Sequence, residues 1–279
     1  MVQRTCYAVA VRTVPCRNRA LLAAVGWLLA ALAAPARSAR ADAGPPFLTN
    51  DPGTPGNGNW EINIAAMQTA VPHGSSWQIP QLDINLGLGE RVQLTWESPY
   101  VVQSVTGQAR ATGWGNASPG LKWRFLDQGE DGWQISTFPM FQTTGSDAAR
   151  QNGIASPGPR LLLPFEVARK FGPLTFDLEA GSYVPWHGNH EHVVGLVSGC
   201  PLTERLELDA ELYDDHVRGA APDVTTLDIG GRYKLHRSFI LLFMAGRSLR
   251  GNSPGQVEFM SYFGLQVLLS DYGRHLAAQ

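Results

Sequence analysis

Three histidines, His187, His190 and His192, stand around Glu191 in one short polar stretch, and His216 follows in the next. Imidazoles at this spacing can bind a divalent transition metal such as zinc or copper, provided that the surrounding structure makes them converge. The competing expectation is a solvated loop, because true metal sites fix their ligands with a supporting scaffold and this stretch offers little apolar material to build one. Hydrolysis would need a nucleophile or an activated water close to a histidine and a carboxylate. The chain has no His-x-Ser-Asn-Gly sequence, and seven histidines are ordinary for 279 residues. No catalytic residue and no cofactor is therefore expected, and a barrel enzyme acting on lipid is kept as the lesser alternative.

A second group of residues could act through charge. Glu61, Asp83, Glu97, Glu166, Asp177, Glu179, Glu207, Asp209, Glu211, Asp228 and Glu258 share one parity within their segments with Lys122, Arg124, Arg232 and Lys234. If that parity lines a lumen, acids outnumber bases there. Clustered carboxylates concentrate cations and oppose anions. The expected lumen is cation-leaning or suited to neutral solutes, with Lys122 and Arg124 facing the acids across it. The alternative is that these charges pair into a packed, closed interior, since narrow barrels fill themselves with side chains.

The elements that would position these residues are segments of about ten residues that alternate apolar and polar side chains. Trp60, Ile62, Ile64 and Ala66 alternate with Glu61, Asn63 and Ala65; Leu82, Ile84, Leu86 and Leu88 alternate with Gln81, Asp83 and Asn85. Val92, Leu94 and Trp96 are set against Gln93, Thr95 and Glu97, and Leu121, Trp123 and Phe125 against Lys122 and Arg124. Further strands start near Trp133, Leu161, Leu174, Val193, Leu206, Thr226, Phe239 and Val257, which makes twelve. An even number returns both ends of a single-chain barrel to the same side.

Connection lengths alternate as well. Residues 87–91, 126–132, 170–173, 203–205 and 235–238 form compact turns, whereas 102–114, 144–159, 186–192, 214–224 and 247–256 are longer and rich in Gly, Pro, Asn and Ser. Only the first connection of the second kind, around 72–75, is short. Outer-membrane barrels combine short periplasmic turns with longer outer loops, an asymmetry that a water-soluble β-sandwich has no reason to show. Trp60, Trp77, Tyr100, Trp114, Trp133 and Trp186 lie near strand ends, as interfacial aromatic girdles do.

At the N-terminus, Arg4, Arg12, Arg17 and Arg19 precede a 14-residue apolar run over 21–34, then small residues ending in Ala41-Asp42-Ala43. This reads as a secretory signal peptide cleaved after Ala43, the run being short for a membrane-spanning helix of about 20 residues. Its removal leaves 16 Lys and Arg against 23 Asp and Glu, a formal charge of −7, which argues against nucleic acid as a partner. Cys6 and Cys16 leave with it, so Cys200 remains alone and neither an intramolecular disulfide nor a multi-cysteine zinc site is possible. Residues 44–59, with several prolines and glycines, are expected to form an irregular periplasmic linker into the first strand, tucking into the lumen being the alternative.

Several runs carry a family resemblance: Gly-Pro-Pro-Phe-Leu-Thr-Asn-Asp-Pro at 44–52, Gly-Asn-Trp-Glu at 58–61, Leu-Lys-Trp-Arg-Phe at 121–125, and Thr-Phe-Pro at 137–139 before Thr144-Gly145. The chain resembles the outer-membrane β-barrel family named for the MetA pathway of phenol degradation, over essentially all of its mature length. The resemblance implies a transporter-like barrel, with small organic molecules among its solutes. It departs from the usual pattern at the end, where the last strand stops near Leu269 and residues 270–279 follow in place of a terminal aromatic.

The resulting expectation is an all-β, antiparallel transmembrane barrel of about twelve strands over 60–269, after a signal peptide over 1–43 and before a tail over 270–279. It would sit in the outer membrane of a Gram-negative cell with both termini periplasmic. Its partners would be outer-membrane lipid, the barrel-assembly machinery and a small solute. A non-transporting structural or ligand-binding barrel is the main alternative.

Overall fold

A computed structural model describes residues 44–129, 131–156, 158–217, 224–249 and 256–270. The signal peptide over 1–43 and all but the first residue of the tail lie outside the described residues. The strands are β1 (Trp60–Val71), β2 (Gly74–Leu88), β3 (Val92–Val105), β4 (Ala111–Trp114), β5 (Ser118–Asp127), β6 (Gln134–Thr137), β7 (Met140–Gln142), β8 (Arg160–Phe171), β9 (Leu174–Pro185), β10 (Glu191–Pro201), β11 (Leu206–Val217), β12 (Val224–His236), β13 (Phe239–Ser248) and β14 (Phe259–Leu269). One short helix, α1 (Asp147–Gln151), is capped by Ser146, whose side chain accepts a hydrogen bond from the Ala149 amide.

Sequential strands pair antiparallel, and β1 closes the sheet on β14 in a register that matches Trp60 with Leu269 and Ala70 with Phe259. β3 pairs directly with β5, leaving β4 as a short flap on the end of β3. β6 and β7 both bridge β5 and β8 and form two halves of one stave, interrupted at Phe138-Pro139. Proline has no amide hydrogen for the ladder, which explains a break there. The result is a closed barrel of twelve staves with two extra strand segments. Closure leaves no unpaired edge, the condition for strands to cross hydrocarbon.

The polarity of the wall is inverted relative to a water-soluble protein. Ile64, Leu94, Trp123, Phe165, Leu196, Ile229 and Phe263 all point outward and are at least 40% exposed. The inward face holds Asn63, Asp83, Asn85, Thr95, Glu166, Asp177, Glu211 and Asp228, all buried. A soluble monomer does not surround itself with a continuous apolar band of this extent, whereas lipid requires one. Trp77, Trp114 and Trp186 crown the long-loop end of this band, and Trp60 and Trp133 the short-turn end, as interfacial aromatics do.

Three bulges adjust the alternation. One extra residue at Ile79-Pro80 of β2 moves Ser76 and Gln78 to the inward face, so that parity before the bulge is opposite to that of Asp83 and Asn85 beyond it. Similar shifts occur near Phe125 in β5 and Leu235 in β12. The compact turns fall where expected, but 102–114 is a hairpin rather than a loop, with β3 reaching Val105 and β4 returning on it. Its Tyr100 and Trp114 rings pack edge to face, 5.4 Å apart.

Replacing an outward side chain near mid-strand tests the membrane-facing surface. Ile229→Arg should lower the folding stability in lipid vesicles by about 2–4 kcal/mol in a denaturant titration, the cost of arginine near the bilayer midplane. A change within about 0.5 kcal/mol would mean that this face meets water.

Candidate functional site: the barrel lumen

The lumen is occupied by the chain's own residues 44–54, a strap that starts at Arg232 of β12, reaches Glu211 and Glu179 at mid-barrel and returns to the turn at Glu90. The solvated linker expected here is thereby corrected. Thr49 and Phe47 are 0% and 6% exposed, and Pro46 and Pro52 are fully buried. The Leu48 and Thr49 amides donate to the Glu211 carboxylate at 3.2 and 2.6 Å, and the Asn50 amide donates to Glu179 Oε2 at 2.6 Å. Lys122 Nζ donates to the Asp51 carbonyl, and Arg232 Nη2 to that of Pro45 at 3.0 Å. Each partner solves the other's problem: buried carboxylates need donors, and backbone without a sheet ladder needs acceptors.

Packing secures the same strap. Phe47 fits an inward apolar patch formed by Ala65, Met67, Val197, Ile240, Leu242, Met244, Met260 and Tyr262. Two glycines permit the approach. A Cβ at Gly195 would stand 1.9 Å from Thr49 Oγ1, and one at Gly87 would stand 1.8 Å from the Gly56 carbonyl oxygen. The first overlap could not be relieved without moving the strap, nor the second without moving the backbone at Gly56 just beyond it.

The charged residues proposed from parity fall into three groups. Asp83, Lys122, Glu166, Asp177, Glu179, Glu207, Asp209, Glu211, Asp228 and Arg232 are all buried on the inward wall. Glu61, Glu97 and Arg124 are half-buried there. Lys234 and Glu258 are exposed at opposite rims, so both are corrected from lumen-facing to rim positions. Lys122 lies 3.9 Å from Glu166 Oε2, whose same oxygen accepts a hydrogen bond from the Ser136 hydroxyl. Arg232 lies 3.9 Å from Asp209. Arg124 does not face the acids across the barrel; it bonds the Glu90 carbonyl at 2.7 Å and Asp127 at 3.2 Å on the short-turn rim.

The histidines are not brought together. His187 and His190 are exposed, His192 shares a 2.8 Å hydrogen bond with Ser182, and Glu191 accepts from Arg160 at 2.6 Å. His192 and His216 stack across the β10–β11 register at 6.3 Å. Among the described residues no group of three or more His, Cys, Asp or Glu could hold a metal ion, which corrects the metal expectation. One serine escaped the sequence reading: residues 251–255 are Gly-Asn-Ser-Pro-Gly, a Gly-x-Ser-x-Gly spacing. They lie outside the described residues.

Two of the cavities among the described residues lie beside the strap. The larger, about 840 Å³, reaches the short-turn rim at Glu90, Asp127, Gly129 and Lys170 and is lined deeper by Glu61, Asp83, Lys122 and Asp177. The smaller, about 290 Å³, lies at the long-loop end beneath Gly153 and Ile154. Glu97 lines both. Sequence parity placed Glu97 inward but gave no sign of this junction, which depends on how the strap partitions the lumen.

No protein-family profile matches the chain, and no curated protein matches it. Solved structures do. The COG4313 outer membrane channel from Pseudomonas putida F1 superposes with a TM-score of 0.62 at 12% identity, covering 76% of this chain and 96% of that one. The KdgM porin, solved in complex with oligogalacturonate, gives 0.50 at 11% identity over 74% and 98% of the two chains. The NanC porin gives 0.50 at 7% identity with the same coverage. At such identities the likeness is one of fold, and the fold is that of an outer-membrane β-barrel.

Proposed function

We propose that the protein is an outer-membrane channel for small solutes, with both termini on the periplasmic side and insertion by the barrel-assembly machinery. The observation that carries this reading is that Glu97 lines both cavities, one towards each end of the lumen. The route they outline passes the strap, with β2, β3 and β5 on one side and Thr175, Asp177 and Arg232 on the other. The shared fold with outer-membrane channels supports transport over catalysis. The resemblance to the family named for the MetA pathway supports small organic molecules as solutes. The acidic character of the lumen supports cations and neutral molecules over anions.

Purified protein in planar bilayers should give small, discrete conductance steps; a baseline no higher than bare lipid would overturn the reading. Deleting residues 44–54 behind an intact leader should raise the single-channel conductance several-fold. Gly195→Val, whose side chain would take the space of Thr49 and press on Tyr213, should shift it in the same direction, while heat-modifiable migration on gels confirms that each barrel is folded. Unchanged conductance in both would mean that the strap does not narrow the route.

Under a salt gradient, Glu97→Gln should cut the cation-over-anion permeability ratio at least about twofold, because one carboxylate in a constriction acts at short range and low screening. Glu211→Gln should leave that ratio within error, since the strap's amides already cover this carboxylate. Equal effects of the two substitutions would displace the junction from Glu97.

A further inference from the structure

The smaller cavity differs chemically from the rest of the lumen. The larger cavity mixes amides with several charged side chains, but here the wall is made almost wholly of side-chain amides and hydroxyls: Gln78 and Gln81 on β2, Gln103 and Ser98 on β3, Ser118 on β5 and Gln142 on β7. Glu97, at the floor, is its one charged lining residue, and no basic side chain lines it. Pro99, Val101 and Ile154 add an apolar face. An amide presents both donors and acceptors, as a hydroxyl group does, so a cluster of amides matches a molecule bearing several hydroxyls better than it matches an ion.

Part of this amide set is already committed to structure. The Gln142 side-chain carbonyl accepts from Arg160 at 2.5 Å, and Asn116, also on the wall, ties Ser156 and Thr143 of the neighbouring loop. Gln81 is different. Its Oε1 is buried and has no hydrogen-bond partner in the protein. A buried acceptor left in that state carries a desolvation cost that a bound donor reaching it would offset. The β2 bulge at Ile79-Pro80 is what brings Gln78 and Gln81, three positions apart, onto the same inward face.

We infer that this cavity is a binding site for a small neutral polyhydroxylated solute, of the size of one sugar ring. Its volume of about 290 Å³ has room for roughly ten water-sized groups. The hydroxyls meet Gln78, Gln81 and Gln103, and the carbon face of the ring lies on Val101 and Ile154. The Glu97 carboxylate at the floor accepts from a hydroxyl and repels a carboxylated solute. As a station on a route across the membrane the site rests on the channel reading, but binding itself does not.

Equilibrium dialysis of the folded barrel in detergent micelles, with labelled D-glucose and D-glucuronate as probes, tests the inference. Glucose should bind saturably and glucuronate at least about tenfold more weakly, a difference of 1.4 kcal/mol. The double substitution Gln81→Leu with Gln103→Leu should weaken glucose binding at least about tenfold while heat-modifiable migration is retained. Glu97→Gln should bring glucuronate close to glucose. Absence of saturable glucose binding, equal binding of the two sugars by the native protein, or indifference to the glutamine substitutions would each overturn the site. Glucose binding without bilayer conductance would keep the site and remove the channel, whereas conductance without glucose binding would do the reverse.

Discussion

The hydrogen bonds from the strap's backbone to Glu179 and Glu211 hold the interior of this barrel together. A transmembrane barrel turns its apolar side chains outward, so its polar ones must be satisfied within a narrow lumen. Carboxylates on β8 and β9 and on β11 and β12 point into it on either side of β10. Side-chain cations answer only part of it: Lys122 and Arg232 each stand 3.9 Å from their acids, long for a charge-assisted hydrogen bond. The amides of Leu48, Thr49 and Asn50 supply donors at closer range on Glu211 and Glu179, and they cannot rearrange without unseating Phe47 from its apolar patch.

That dependence divides the lumen into three sectors with different work. The acidic sector binds the strap through its backbone. The apolar sector on β1, β10, β13 and β14 receives Phe47, which explains why Ile240, Leu242 and Met244 point into a lumen at all. On the remaining wall of β2, β3 and β5, Lys122 holds the strap at Asp51 while other polar side chains bond to one another. Gln93, Asn85 and Thr95 form a closed network at 2.6–2.9 Å that keeps this wall polar without drawing in the strap.

Much of the barrel was legible in the sequence because its cause is periodic. Each stave meets lipid on one face, so the pattern in Trp60 to Ala66 or Val92 to Glu97 must repeat every second residue, and strand number and short turns follow from it. What was not legible depends on contacts distant in the chain. Residues 44–54 look like a solvated linker by their prolines and glycines, and only the apolar pair Phe47-Leu48 inside that polar stretch hinted at burial. Lys234 and Glu258 keep the parity of the lumen yet lie beyond its rims, since parity says which way a side chain points and nothing about depth. The histidine cluster failed for a related reason: residues close in sequence on an exposed connection diverge unless a scaffold turns them inward.

The bulge at Ile79-Pro80 shows how a local departure from the pattern can matter more than the pattern. Without it, Ser76 and Gln78 would face lipid, where their unsatisfied polar groups would be costly. With it, β2 carries carboxamides inward near the long-loop end and Asp83 and Asn85 inward at mid-barrel, so one strand changes the chemistry of the lumen along its length. The change occurs at the level of Glu97, which pairs in register with Asp83 on one side and Ser118 on the other. A solute moving between the rims would therefore pass from a neutral hydrogen-bonding chamber to a charged one at a single carboxylate, and discrimination between neutral and anionic molecules would be decided at that step.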